Sequence, residues 1–201
     1  MSDDLQRARS VANNETASCE SVYSLRNIDR RLRPAAETDI LQDLLRPGLR
    51  LVICGTAPST RSAAVGAYYA GRGNKFWRTI HAVGLTPRLL TPEEWRSLDA
   101  LDIGFTDLVK RHSGMDKDLP PGSFDAARVR ALIEKHQPGA LAFNGKAAAR
   151  AFLGRGPVDY GRQKALIGGT AIWVLPSTSG AAAGAWSIEP WHALARDLTR
   201  G

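Results

Sequence analysis

Two cysteines, Cys19 and Cys54, are all that this 201-residue sequence contains. No spacing around them resembles a zinc site, and two thiols imply no disulfide framework. Cys54 lies inside an apolar run and reads as a small core residue. Long hydrophobic runs are missing too: none approaches the roughly 20 residues that a membrane-spanning helix needs. The opening MSDDLQRARS lacks the apolar core of a secretory signal. A cytoplasmic, reducing location without a membrane partner is the expectation. The four histidines, His81, His112, His136 and His192, share no spacing that suggests a metal site or a catalytic triad, and they read as structural.

What is present is an ordinary globular composition, 43% hydrophobic and 23% charged, with an unusual excess of base. The net charge is +7 and the pI about 9.8. A chain this basic often meets a polyanion, with nucleic acid first in line, although a solvated basic surface gives the same count. Residues 1–35 are polar, and their arginines nearly balance their acids. They read as a flexible N-terminal arm. Residues 36–201 read as a single domain, with no internal repeat.

Hydrophobic patterning lays out this domain as alternating elements. Ile40, Leu41, Leu44 and Leu45 recur at helical spacing between Glu37 and Arg46. A strand is predicted over 49–54, then a glycine-rich, tyrosine-bearing loop over 62–73, then a helix from Asn74 to about Val83. Thr91 caps a further helix that opens with Pro92. Strands are predicted at 101–105 and 140–143, and paired strands at 165–168 and 171–175. Helices are predicted at 126–135, after Gly145, and at 189–199. The alternation predicts an α/β fold, with a mostly parallel sheet between two helical layers. In such sheets, loops at the carboxyl ends of strands share one crevice. Gly55, Thr106-Asp107 and Pro176-Ser177 each end a strand and are expected to meet there.

Within these loops, several separated segments in collinear order resemble one family. They are Gly55-Thr56-Ala57-Pro58-Ser59, Ser62-Ala63, Gly66 to Tyr69, Gly73-Asn74-Lys75-Phe76-Trp77, Gly104 to Val109, Leu141 to Lys146, and Ile172 to Gly180. Together they resemble the mismatch-specific uracil-DNA glycosylases of the thymine-DNA glycosylase branch. The resemblance implies a three-layer α/β/α fold and a monomeric enzyme. It implies hydrolysis of the N-glycosidic bond of a base flipped out of DNA, leaving an abasic site, with no metal or cofactor. Uracil opposite guanine is the leading substrate. Another deaminated base such as hypoxanthine, single-stranded DNA, and non-catalytic binding of lesions or abasic sites stand as alternatives.

The sequence departs from the family pattern at two places. The turn that usually carries a water-positioning asparagine has Ala57 instead. The last motif ends in Ser179-Gly180-Ala181, where the family usually places a bulky residue that wedges into the base stack. A methyl group cannot hold water, so the chemistry has to come from elsewhere. Asp107, at a strand end expected to face Ala57, is the candidate catalytic residue. A carboxylate there would orient or deprotonate water and face the positive charge that develops on the sugar. The bland alternative is a loop or capping aspartate. Asp102 and Asp116 are weaker candidates. Thr56, Ala57, Ser62, Tyr69 and Ser177 are expected to contact substrate, with Tyr69 stacking on the base. Arg61, Lys75, Lys110, Arg111, Lys146, Gly180 and Ala181 are expected to face DNA.

Overall fold

The computed structural model describes residues 38–154, 156–180, 182 and 186–199. Five strands make one sheet: β1 (Leu51–Gly55), β2 (Ile103–Asp107), β3 (Ala140–Asn144), β4 (Gly161–Ile167) and β5 (Thr170–Leu175). Their order is β2-β1-β3-β5-β4. The first four neighbours in that order pair in parallel, and β4 pairs antiparallel with β5 through the turn at Gly168-Gly169. Every residue of β1, β2, β3 and β5 is buried, which is why these strands read as near-continuous apolar runs.

Helices α1 (Thr60–Val65), α2 (Phe76–Ala82), α3 (Ala126–His136), α4 (Lys146–Leu153) and α5 (Glu189–Leu198), with a 3₁₀ helix over Pro92–Leu101, supply the outer layers. Alternating side chains of β1 feed two cores. Leu51 and Ile53 pack with Phe76, Trp77, Phe105 and Trp191 on one face. Val52 and Cys54 pack with Val129, Ile133, Phe143 and Phe152 on the other. Each such large side chain, removed from water, contributes about 1.5–3 kcal/mol. The architecture is the expected three-layer α/β/α sandwich. No helix among the described residues is long and apolar enough to cross a membrane.

One predicted helix is absent. Residues 39–46 run without helix and bridge the open edge of β2, where Leu44 and Phe105 exchange backbone hydrogen bonds of 2.9 and 3.0 Å. Ile40 N–H donates to the Lys110 carbonyl at 2.9 Å. The helical spacing of Ile40, Leu41, Leu44 and Leu45 loses to the unpaired donors and acceptors of an edge strand. Gly104 makes the approach possible, since a Cβ there would collide with the Leu44 carbonyl and Leu49. The loop expected over 62–73 also begins as helix α1, capped by Ser59.

Candidate active site

The carboxyl ends of β1, β2, β3 and β5 converge on a cavity of about 710 Å³. Its walls include Thr56, Ala57, Tyr69, Asp107, Asn144 and Ser177. The three strand ends expected to meet do so, and the end of β3 joins them through Asn144. Parallel register places Gly55 opposite Asp107. Beyond the strands the two chains stay together, with Leu108 N–H donating to the Gly55 carbonyl at 3.1 Å and Val109 N–H to the Thr56 carbonyl at 2.8 Å.

Asp107 is 2% exposed, and its Oδ2 has no hydrogen-bond partner. Burial raises its pKa to about 7; Lys110 and Arg128 pull it down, while Asp43 pushes it up. A buried polar atom without a partner is uncommon in a native fold and points to a role. Across the cavity wall, the Tyr69 hydroxyl is equally buried and has no hydrogen-bond partner, with the Asn144 side chain near it. A Cβ placed on Gly55 would fall within 3.4 Å of that hydroxyl and would strike Asp107 Oδ1. An unpartnered donor and an unpartnered acceptor thus flank Gly55.

Below Asp107 lies a partly buried charge network. Asp43 Oδ1 accepts from Lys110 Nζ and from Thr106 Oγ1, both at 2.8 Å, and Oδ2 accepts from Arg128 Nη1 at 2.7 Å. Arg128 Nη2 also donates to the Asp107 backbone carbonyl. These contacts tie β2, α3 and the edge segment to the position of the carboxylate. They correct one expectation: Lys110 is 6% exposed and ion-paired with Asp43, so its ammonium does not face DNA. Burial of a lysine needs such a partner. Asp43 and Arg128 were not legible as site residues, because Asp43 sits in the stretch that reads as helix and Arg128 in an ordinary amphipathic helix.

Tyr69 occupies left-handed backbone space, φ +55°, which is rare for a bulky residue and concentrates at functional sites. One ring face stacks on Phe76 at 4.0 Å between centroids, and the ring remains partly exposed to the cavity. Ser62 lines the cavity and is also built into the loop around it. It is 2% exposed, and its hydroxyl accepts from Ala70 N–H at 3.1 Å and from Ser59 Oγ at 3.0 Å. It folds the loop that presents Tyr69.

Asn144 and Thr178 form a reciprocal pair: Asn144 Nδ2 donates to Thr178 Oγ1 at 2.8 Å, and Thr178 N–H donates to Asn144 Oδ1 at 3.0 Å. The Thr178 carbonyl accepts from Lys75 N–H at 2.9 Å. The loop after β5 is thereby fixed to β3 and to the start of α2. The rule that strand ends line the crevice would have found Asn144.

A family model for the uracil DNA glycosylase superfamily matches residues 42–195. The chain belongs to that superfamily. A solution NMR structure of a candidate uracil DNA glycosylase from Methanosarcina acetivorans is 26% identical to it, with a TM-score of 0.55. That match covers 81% of this chain and 98% of the other.

For a member of a DNA-acting superfamily, the basic residues around the crevice bear on the nucleic acid. Arg61, Lys117 and Lys146 line the cavity. Lys117 was not singled out from sequence, since it stands in a mixed-charge loop. Lys146 Nζ stands 4.5 Å from the centroid of the Tyr160 ring, and Lys75 Nζ 4.9 Å from that of Trp186. Arg111 is exposed and borders a separate cavity of about 430 Å³, together with His112 and Arg128. Ser177 lines the main cavity and Gly180 is exposed beside Gly73, while Ala181 lies outside the described residues. Asn74 caps α2 by accepting from Phe76 N–H at 3.0 Å.

The other carboxylates part company. Asp102 is at the opposite end of β2, exposed and ion-paired with Arg46 at 2.6 Å, so it has no place in this site. Asp116 borders the crevice, and the loss of surrounding water there raises its pKa.

Proposed function

We propose that this superfamily member is a monofunctional DNA glycosylase that releases uracil, with preference for uracil mispaired with guanine, and that Asp107 is its catalytic base. The observation that carries this reading is the unpartnered Asp107 Oδ2, buried at the wall of the cavity. Ala57 lines the same cavity and brings only a methyl group.

In this mechanism the flipped base enters along Tyr69, whose open ring face stacks on it. Water occupies the space between Asp107 and the sugar. The ionised carboxylate takes a proton from water as oxygen bonds to C1′, and the electrons of the glycosidic bond leave with the base. Its negative charge also opposes the positive charge growing on the sugar. A pKa of about 7 puts this base close to the working pH, where general-base catalysis is efficient.

Single-turnover base release with G:U duplex and single-stranded uracil DNA tests the reading. Asp107→Ala and Asp107→Asn should lose about a hundredfold or more in rate, the upper part of what a general base contributes, while still binding DNA. Wild-type rates in both variants would refute the assignment. Borohydride should trap no covalent adduct if the enzyme is monofunctional. Tight abasic-site binding by a wild-type protein that releases no base would mark a non-catalytic lesion binder. Faster release of hypoxanthine than of uracil would move the substrate to deaminated purines.

A further inference from the structure

The loop after β2 holds a large apolar side chain out at the mouth of the crevice. Met115 is 54% exposed and lines the cavity that contains Asp107. Four large hydrophobic side chains are exposed among the described residues: Leu89, Met115, Tyr160 and Leu166. Only Met115 and Tyr160 border the crevice. The Tyr160 ring already carries Lys146 against it.

A single exposed methionine needs no explanation by itself. Met115 differs in how its backbone is held. On one side, Gly114 N–H donates to the Pro58 carbonyl at 3.0 Å. On the other, Asp116 lines the same cavity as Thr56. The Met115 carbonyl itself accepts from Asp118 N–H at 2.8 Å. Gly114 is thus fastened to the Thr56–Pro58 turn that walls the base cavity, and the Met115 thioether chain stands at the mouth of that cavity.

Proteins that open a base stack insert an apolar wedge, methionine among them. The chain's last motif offers little for this task, because Ser179, Gly180 and Ala181 carry at most one heavy atom beyond Cβ. Methionine is long, unbranched and adaptable, so it fits an irregular gap. Met115 follows β2, which lies three strand spacings, about 14 Å, from β5, so it lines the cavity from a different loop than Ser177–Gly180. We propose that Met115 is the residue this protein inserts into the DNA stack in place of the extruded base. The inference rests on the base-flipping glycosylase reading above.

Two measurements test it. In single-turnover release, Met115→Ala should lower the ratio of duplex to single-strand rate by about tenfold, because only the duplex charges the cost of unstacking. Met115→Leu should restore that ratio. Equal losses on both substrates, or no loss on either, would overturn the proposal. The second readout needs no chemistry: 2-aminopurine placed beside a mismatched uracil should brighten on binding wild type and Met115→Leu, but not Met115→Ala. A rise that Met115→Ala retains, or no rise with wild type, overturns the proposal. If wild type releases no base, the glycosylase reading fails and this fluorescence alone decides the wedge.

Discussion

Asp107 and Gly55 are register partners at the ends of β2 and β1, and the Asp107 carboxylate occupies the space where a Gly55 side chain would stand. The missing Cβ is what lets the carboxylate lie across the strand end, beside the Tyr69 hydroxyl. Gly55→Ala is therefore expected to displace Asp107. Overpacking of this kind costs about 1–3 kcal/mol, and base release should fall by about tenfold or more, as general-base geometry is lost. Thermal unfolding and single-turnover release measure the two effects. A Gly55→Ala protein with wild-type rate would show that the carboxylate position is irrelevant.

Asp107 should also cost the fold stability at high pH. Its pKa in the folded protein, about 7, lies above the ordinary 3.8. The folded state keeps a proton that the unfolded chain releases, so rising pH favours unfolding between about 4 and 7 and has no further effect through this group above that. The difference amounts to roughly 4 kcal/mol. Asp107→Asn removes the buried charge, so it should melt several degrees above wild type near pH 8. The two proteins should converge below about pH 4. Equal pH dependence in both would contradict the buried, unpaired state of the carboxylate.

Much of this site was legible in the sequence because strand ends are easy to read. The run Leu51–Cys54 before Gly55, the residues before Asp107, and Ile172–Leu175 before Pro176 are apolar segments broken by polar turns. Parallel topology then forces their ends together. Pairings between distant side chains leave no such trace. Lys110 follows a strand at a position that suits a surface cation, and only the tertiary structure shows Asp43 folded across the β2 edge to bury it. Asp43 itself was hidden by a helical periodicity that edge pairing overrides. Ser62 lines the cavity, and its hydroxyl also accepts from Ala70 N–H, a loop-folding contact that the sequence does not show. The position of the Met115 loop leaves no trace in sequence either, since the Gly114–Pro58 hydrogen bond that holds it joins residues far apart in the chain.

The network under Asp107 should tune the pH profile. With Asp107 as base, base release rises with pH through about 7 and levels above it. Lys110 holds that pKa down and Asp43 holds it up. Lys110→Met should move the rising limb to higher pH, and Asp43→Asn should move it to lower pH. A purely structural role for the network would lower the rate of both variants without moving the limb in opposite directions. Rate–pH profiles of the two folded variants decide between these outcomes.

Asn144 and Thr178 each satisfy the other, so their removal should be strongly non-additive. Asn144→Ala strands the Thr178 N–H and hydroxyl, and Thr178→Val strands the Asn144 amide. An orphaned buried polar group costs about 1–3 kcal/mol. In the double variant the second loss is smaller, because the partner has already gone. A double-mutant cycle by chemical unfolding should give a coupling of about 1 kcal/mol or more. The same pair fixes the loop that carries Ser177 and, through the Lys75 N–H, the start of α2. Either single variant should therefore weaken binding of abasic DNA more than it moves the pH limb set by Asp107. Additive stabilities, or a shifted pH limb with unchanged binding, would show that the pair does not hold the loop.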